Sequence, residues 1–373
     1  MHPSFLLSML AISTKQVLAS KHHLYSGFFS GSEVYGIEFD DEASTLTVIN
    51  NITTNSSDGS KWIAIDERRE NIYVASGASY NSYTIASNLG LTLKSNLTIP
   101  DTCGNLNYIA ASSPSPYTVF GAPYSTGCSG QAITVDQSGA LKSIIGNITY
   151  GNSSGVHGLA IDADASFIYS ADDMGNAVWV HSFDSATGAV EEVQYLAAPS
   201  SANPRHLAVH PKGSYVYVVF EEANELAVYS RDTSTGKLTF TNTTYPLIPS
   251  SYTNTSSYWS DEVAFSVSSS ASPKYLLASA RSRSTSSPGY VAAFSLDATT
   301  GAIQEQLFLT QTTGSGGSAN SVSPALFSED YFAITDSGSN FIEIWQLSTD
   351  GNVAAVAAHL DLDNGPANVV WYS

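Results

Sequence analysis

Short apolar runs, many of them alternating with polar residues, recur along the whole chain and are separated by turn-forming residues. Alternation with a period of two is typical of half-buried β-strands, and clusters of Gly, Asp, Asn and Ser mark the turns between them. Two consecutive segments repeat the same order of four runs: His157–Asp162, Phe167–Ser170, Ala177–His181 and Ala189–Val193, and then Arg205–His210, Tyr215–Val218, Glu225–Tyr229 and Lys237–Thr241. Each segment therefore predicts one four-stranded antiparallel sheet.

The opening run of this repeat recurs through the chain. Further copies begin at Trp62–Asp66, Tyr108–Ser112, Glu262–Ser266 and Pro324–Ser328, and a partial copy ends the chain at Pro366–Tyr372. The N-terminal part carries the three runs that the partial copy lacks, which are His23–Gly27, Val34–Phe39 and Leu46–Ile49. We predict an all-β fold, a seven-bladed β-propeller in one domain over residues 21–373, closed where the C-terminal strand joins the N-terminal blade. The competing fold, a pair of β-sandwiches, needs a linker that no break in composition marks.

Residues 1–20 have the pattern of a secretory signal peptide. An apolar run from Phe5 to Ile12 is followed by small residues that end at Ala19 and Ser20. The run is too short to cross a membrane as a helix. We predict a secreted, extracellular protein whose leader is cleaved near Ala19 or Ser20.

The charge balance narrows the range of partners. The chain has 33 acidic and 14 basic side chains, a formal net charge of -19, and 43% of its residues are apolar. A chain so poor in cations lacks the basic surface that nucleic acids and anionic membranes attract. We predict no nucleic-acid partner and no membrane partner, and we leave the oligomeric state open.

The cysteines and glycosylation sequons are compatible with an oxidising compartment. Cys103 and Cys128 can form a disulfide, and two free buried thiols are the alternative. Sequons for N-glycosylation occur at Asn51, Asn55, Asn96, Asn147, Asn152, Asn242 and Asn254. A composition rich in Ser and Thr produces sequons by chance, so these positions permit glycosylation without establishing secretion.

Aligning the repeats identifies two sets of equivalent positions. The first set stands immediately before the opening strand of each copy: Lys61, Asn107, His157, Arg205, Asp261, Ser323 and Ala367. The second set stands at the end of the second strand: Gly77, Asp173, Glu221, Arg281 and Asp336. Because the first and second strands run antiparallel and the first lines the central channel, we expect both sets at the same mouth of that channel.

The chemistry of these positions indicates an anion site. Guanidinium groups such as Arg205 and Arg281, placed among apolar strand residues, usually hold a carboxylate or phosphate. The alternative is that they only neutralise Asp173, Glu221 and Asp261. A histidine such as His157 transfers protons near neutral pH, although a lone channel histidine is often structural. We predict no metal site, because no group of His and Cys has the spacing of zinc ligands.

Several segments resemble the fungal carboxymuconate cyclases, which belong to a wider lactonase family of seven-bladed propellers. The segments that carry the resemblance are Gly155–Leu159, Asn203–Pro211, Ala278–Arg281, Gly289–Phe294, Gln306–Leu309 and Gly316–Pro324. Two departures stand within them: Ser318 replaces a histidine of the family pattern, and His206 replaces a tryptophan.

The resemblance implies a cofactor-free enzyme that closes a substrate carboxylate onto a double bond to form a lactone. It implies that His157, Arg205, Glu221 and Arg281 are the catalytic residues. The arginines would clamp a polycarboxylate substrate, and either His157 or Glu221 would protonate the adjacent carbon. With the channel positions, it predicts a substrate-binding set: Lys61, Asn107, Asp173, Asp261 and Asn320.

Three functions follow from these observations. The first is an enzyme, either a cyclase or a lactone hydrolase, that acts on a small anionic carboxylate or lactone. The second is a secreted, non-catalytic cell-wall glycoprotein, such as an antigen or adhesion module, which the leader and the replaced histidine favour. The third is a glycan-binding propeller that uses its 21 Tyr and 5 Trp for stacking.

Overall fold

The structure, a computed structural model, describes residues 20–54, 58–252, 254–267 and 271–373. The predicted leader lies outside these residues except for Ser20. Apart from two short 3₁₀ helices, η1 (Asp101–Cys103) and η2 (Thr255–Ser257), the regular structure of the described residues is all strand. No helix within these ranges is long and apolar enough to cross a membrane.

The strands form seven four-stranded antiparallel sheets. In chain order the strands of the first four sheets are β1 (Lys21–Phe28), β2 (Glu33–Asp40), β3 (Thr45–Thr53); β4 (Trp62–Ile65), β5 (Asn71–Ser76), β6 (Ser79–Ile85), β7 (Leu91–Thr98); β8 (Leu106–Ala111), β9 (Thr118–Pro123), β10 (Gly130–Val135), β11 (Leu141–Ile148); and β12 (Val156–Ile161), β13 (Phe167–Asp172), β14 (Ala177–Asp184), β15 (Ala189–Ala197). Those of the remaining sheets are β16 (Pro204–Val209), β17 (Tyr215–Phe220), β18 (Glu225–Arg231), β19 (Leu238–Pro246); β20 (Tyr258–Phe265), β21 (Tyr275–Ser282), β22 (Tyr290–Leu296), β23 (Ile303–Gln311); and β24 (Val322–Pro324), β25 (Tyr331–Asp336), β26 (Phe341–Leu347), β27 (Ala354–Asp361). The last strand is β28 (Pro366–Trp371).

The two ends of the chain share one blade. Strand β28 pairs antiparallel with β1, so that Trp371 lies opposite Leu24 and Val369 lies opposite Ser26. The first sheet therefore has the order β28-β1-β2-β3. This confirms the predicted seven-bladed propeller and its closure, which leaves the ring with no open end.

Recurring turns keep the strands of each blade in register. Before the third strand of three blades, Asn176, Asn224 and Asn340 adopt the left-handed backbone conformation that asparagine tolerates. Before the fourth strand, Gly188 has a φ of 77° and donates its backbone N–H to Asp184 O over 2.7 Å. These turn residues explain why the sequence repeat translates into repeated sheets.

The hydrophobic core lies between neighbouring blades. Tyr217 and Val219 of one blade pack with Leu276 and Phe294 of the next, and all four side chains are buried. The hydroxyl of Tyr217 donates to the backbone oxygen of Gly301 across the same interface over 2.6 Å. Many tyrosines of the described residues have such buried positions, so these side chains mainly serve packing.

A disulfide joins Cys103 of η1 to Cys128 in the connection between β9 and β10. The predicted pairing is therefore confirmed, and the alternative of two free thiols is wrong. The bridge closes a loop over a sequence separation of 25 residues. Loops of this length are stabilised by about 3 kcal/mol when they are cross-linked.

The sequon asparagines of the described residues are all exposed. They are Asn51, Asn96, Asn147, Asn152, Asn242 and Asn254. Asn55 lies outside the described residues. Each described sequon is therefore accessible to a glycan, which is a condition for glycosylation and leaves its occupancy a prediction.

Candidate functional site

β-bulges in the innermost strands shape one mouth of the central channel. The pairing register shifts at Asn107 in β8, at His157 in β12, at Arg205–His206 in β16 and at Asp261–Glu262 in β20. A bulge turns its extra side chains away from the regular alternation. The sequence alignment placed Asn107, His157, Arg205 and Asp261 before the strands, which is wrong, because they lie within the strands at the bulges.

Three of the bulged residues, Asn107, His157 and Arg205, line a cavity of about 460 Å³. Seven residues that the sequence singled out line it together: Lys61, Asn107, His157, Asp173, Arg205, Glu221 and Arg281. They come from the two sets of equivalent positions that the repeat alignment identified. Their side chains meet because the end of the second strand and the start of the first lie at the same mouth.

Sequence reasoning missed several other residues of the lining. These are Phe29, Asn105, Tyr124, Met174, Asn203, Glu222 and Trp259. Tyr124 directly follows β9, as Asp173 follows β13 and Glu221 follows β17, so the same alignment could have found it. Ser318, where the cyclase pattern has a histidine, also faces this cavity.

The two arginines of the cavity are paired with buried carboxylates. Glu221 bridges them: its Oε1 lies 2.5 Å from Arg281 Nη2 and 3.4 Å from Arg205 Nε. Arg205 Nη1 also contacts Asp261 Oδ1. Burial lowers the pKa of Arg205, but only to about 10. The guanidinium group therefore stays charged at neutral pH. The alternative from the sequence, that the arginines pair with nearby carboxylates, is therefore present in the structure. Both guanidinium groups also line the cavity.

Asp261 and Asn320 lie behind this lining. Asp261 is only 1% exposed, and its Oδ2 accepts the backbone N–H of Asn320 over 2.7 Å. The side-chain amide of Asn320 donates to the backbone oxygen of Ala280 over 2.9 Å. Their placement favours a role in positioning Arg205. It does not favour the direct substrate contact that we expected from the sequence.

Lys61 differs from the arginines because its hydrogen-bond partner is neutral. Its Nζ donates to the amide oxygen of Asn105 over 2.5 Å. Burial lowers the pKa of Lys61, and the charge of Asp58 offsets this effect only in part. Lys61 is therefore well placed to attract a substrate carboxylate.

His157 is held on two sides. Its Nδ1 lies 3.0 Å from Nε2 of His206, and its Nε2 lies 3.1 Å from the side-chain nitrogen of Asn107. The edge of the Tyr124 ring packs against it with centroids 4.9 Å apart. Burial holds the pKa of His157 well below its usual range, and the positive charge of Arg205 adds to this effect. The imidazole is therefore neutral at neutral pH and can accept a proton.

Asp173 lies beside the same tyrosine. Its Oδ2 accepts the hydroxyl proton of Tyr124, and its backbone oxygen accepts the side-chain N–H of Asn203 over 3.1 Å. Burial raises the pKa of Asp173, and the charge of Glu221 raises it further. The cavity thus contains a neutral imidazole and a carboxyl group with a raised pKa, the combination from which acid–base pairs are built.

The fold and the cavity define a seven-bladed β-propeller with a polar, charge-paired site at one mouth of its channel. The chain matches the family model "Lactonase, 7-bladed beta-propeller" over residues 23–365, and it belongs to that family. It is 30% identical over 368 residues to a Neurospora crassa protein named carboxy-cis,cis-muconate cyclase, covering 94% of this chain and 99% of that protein.

Solved structures show the same architecture. The periplasmic gluconolactonase of Pseudomonas aeruginosa superposes with a TM-score of 0.78 at 15% identity, over 94% of this chain and 99% of that one. A Lactobacillus plantarum protein superposes with a TM-score of 0.74 at 16% identity, again over 94% and 99% of the two chains. At these identities the likeness shows the fold alone.

Proposed function

We propose that this protein is an enzyme that forms or opens a lactone ring on a small anionic carboxylate substrate, and that it does so in the cavity at the channel mouth. One observation carries the proposal. In a member of the lactonase family, His157, Arg205, Glu221 and Arg281, which the cyclase resemblance implies are catalytic, converge with Lys61 in one cavity. Family membership and the cyclase relative do not favour a non-catalytic scaffold.

Ring closure requires anchoring of carboxylates and delivery of one proton. A substrate carboxylate oxygen forms a C–O bond to one carbon of a double bond, and the adjacent carbon takes up a proton. Lys61 and the arginine pair anchor the substrate carboxylates and stabilise the charge that develops. Asp173 supplies the proton, because burial raises its pKa, whereas His157 is neutral. Glu221 keeps the two guanidinium groups side by side, because its oxygen is occupied by both of them.

Ring opening uses the same groups in other roles. The neutral His157 takes a proton from water while the water oxygen attacks the lactone carbonyl. The ring C–O bond breaks, and Asp173, whose pKa is raised by burial, acts as the acid that gives a proton to the departing oxygen. The cations stabilise the oxyanion. One cavity therefore supports either direction of lactone chemistry, and the substrate decides which occurs.

The direct test is turnover by the purified protein. Wild type is assayed with carboxy-cis,cis-muconate by loss of ultraviolet absorbance and with a panel of aldonolactones and muconolactones by acid release. Substituting His157→Ala removes a proton-transfer group, and we expect kcat/KM to fall by about 100-fold or more. His359→Ala, which alters a histidine on β27 outside the cavity, is the matched control. Failure of wild type to turn over any of these substrates would overturn the proposal.

We further propose that the chain is secreted as a glycoprotein and that residues 21–373 form one domain after cleavage of the leader. The disulfide and the exposed sequons support this, and β1 begins at Lys21, directly after the expected cleavage site. Expression in a eukaryotic host tests it. We expect a secreted chain that begins at Ser20 or Lys21 and loses mass on glycosidase treatment. An unprocessed chain retained in the cell would contradict it.

A further inference from the structure

A line of buried polar side chains leads away from the cavity through His157. The ring of His157 lies edge-on to that of His206, and its Nδ1 is 3.0 Å from His206 Nε2. On the other side of the ring, His206 Nδ1 is 2.8 Å from Glu262 Oε2. His206 is 1% and Glu262 is 6% exposed, so the three groups form a chain shielded from solvent.

The short contact with the carboxylate favours one tautomer of His206. Nδ1 lies within ion-pair distance of Glu262 Oε2 but outside aligned hydrogen-bond geometry, and a carboxylate can only accept, so the proton of the neutral ring is placed on Nδ1 and Nε2 is an acceptor. His157 must then carry its own proton on Nδ1, which faces His206. This leaves Nε2 of His157 unprotonated on the side of Asn107 and the cavity. Nε2 of His157 is therefore a base that faces the substrate cavity, and the ring of His206 connects His157 to the carboxylate of Glu262.

His206 forms part of a layer that divides the channel. The rings of Trp62 and Tyr108 stack on each other with centroids 4.9 Å apart, and both pack against His206. Beyond this layer lies a second channel cavity of about 390 Å³, which Trp62, Tyr108 and Glu262 line. Other lining residues there, such as Ile65, are partly exposed to solvent. Glu262 therefore connects the buried chain to the far side of the channel.

We propose that His206 and Glu262 form a proton relay that connects His157 to the second cavity, so that a proton taken up from the reaction site in ring opening leaves at the opposite end of the channel. This inference rests on the proposed function. When His157 Nε2 takes up a proton, its Nδ1 proton passes to His206 Nε2, and the His206 Nδ1 proton passes to Glu262, which releases it to solvent. Each group gains one proton and loses one.

The charged groups around the relay require a carboxylate at its end. Arg205 and Arg281 lower the pKa of both histidines, as does burial. Glu262 acts in the opposite direction on His206, and its charge also raises the pKa of Tyr108, which faces it from β8. Without Glu262, the ring of His206 would have two guanidinium charges nearby and no adjacent carboxylate. The positive charge of a proton transferred to this ring would then be uncompensated.

Substitutions in the relay test it by kinetics. Glu262→Gln keeps the size of the side chain and removes the charge, and His206→Phe keeps an aromatic ring and removes both nitrogens. We expect kcat to fall roughly 10- to 100-fold with KM changed less than about 2-fold, because neither residue lines the substrate cavity. The limb of the pH–rate profile that reports His157 should move to lower pH by about one unit in Glu262→Gln, because loss of the anion disfavours the imidazolium.

The matched control is Glu343→Gln, which removes another buried carboxylate that hydrogen-bonds a histidine, at His359 on the outer side of its blade. It should leave kcat and the pH profile unchanged. If Glu262→Gln and His206→Phe also match wild type in kcat and in the pH profile, while His157→Ala is inactive, the relay is overturned and the proposed function stands.

A measurement on the free protein tests the relay independently of activity. Long-range ¹H–¹⁵N spectra of the imidazole rings report which nitrogen carries the proton. We expect His157 and His206 both to be protonated on Nδ1 in wild type, and the signals of His206 to change in Glu262→Gln but not in Glu343→Gln. A proton on Nε2 of either ring in wild type would overturn the relay, even if no substrate has been found.

Discussion

Replacing Lys61 by methionine isolates the contribution of one cation to substrate binding. Methionine has nearly the length of the lysine stem and no charge, so the cavity keeps its shape. Lys61 lines the cavity, and its Nζ is bonded to the neutral amide of Asn105 rather than neutralised as the arginines are. A substrate carboxylate that enters the cavity should therefore use this ammonium group as a main anchor.

The size of the effect follows from a charge-assisted hydrogen bond. Such bonds contribute about 1.5–3 kcal/mol. If the bond is made equally to the ground state and the transition state, its loss raises KM by roughly 10- to 100-fold and leaves kcat nearly unchanged. The effect on stability has the opposite sign from that of an ordinary core truncation. Because burial lowers the pKa of Lys61, its charge opposes folding at neutral pH, and its removal should leave the melting temperature equal or higher.

The assay is steady-state kinetics at several salt concentrations together with thermal unfolding. The KM of wild type should rise with ionic strength more steeply than the KM of Lys61→Met, because the variant lacks one cavity charge that salt can screen. Lys94→Met is the control, since Lys94 is exposed on β7 and its Nζ donates to the backbone oxygen of Ser138. Unchanged KM in Lys61→Met would refute the reasoning, as would a lowered melting temperature together with lost kcat.

Three further predictions concern stability and pH. Glu221→Gln removes one of the two buried carboxylates that contact both guanidinium groups, leaving only Asp261, and should lower the free energy of unfolding by about 3 kcal/mol in a denaturant titration. Replacing Cys103 and Cys128 by serine should lower the free energy of unfolding by about 3 kcal/mol in the same experiment, because the unfolded chain gains conformational freedom when the cross-link is removed. For ring opening, the rate should rise with pH through the lowered pKa of His157 and fall through the raised pKa of Asp173, with Asp173→Asn losing the falling limb.

The fold could be predicted because each blade repeats the same local chemistry. The match between the repeats that begin at His157 and Arg205 extends to their turns, where Asn176 and Asn224 occupy equivalent left-handed positions. The partial copy at the C-terminus could be assigned because it supplies the one strand that the N-terminal copy lacks. Packing between blades was not needed for the prediction, since it follows from the repeat.

The site could be predicted only as far as register determines it. Equivalent positions identified Lys61, His157 and Arg205 as residues of one mouth. The bulges were missed, because they lie near the starts of the innermost strands, before the apolar alternation that marks each strand. Depth was missed because register does not determine how far a side chain lies from the channel: Asp261 occupies an equivalent position but lies behind Arg205, where its carboxylate pairs with the guanidinium group.

The structure of the protein with a bound tricarboxylate, such as citrate, would show whether this cavity is the substrate site. We predict the anion in the cavity of about 460 Å³, with carboxylate oxygens within hydrogen-bond distance of Lys61 Nζ and of the guanidinium groups of Arg205 and Arg281. Binding should weaken in Lys61→Met and persist in Lys94→Met. An anion bound only elsewhere on the propeller, with affinity unchanged by Lys61→Met, would contradict the assignment of this cavity as the substrate site.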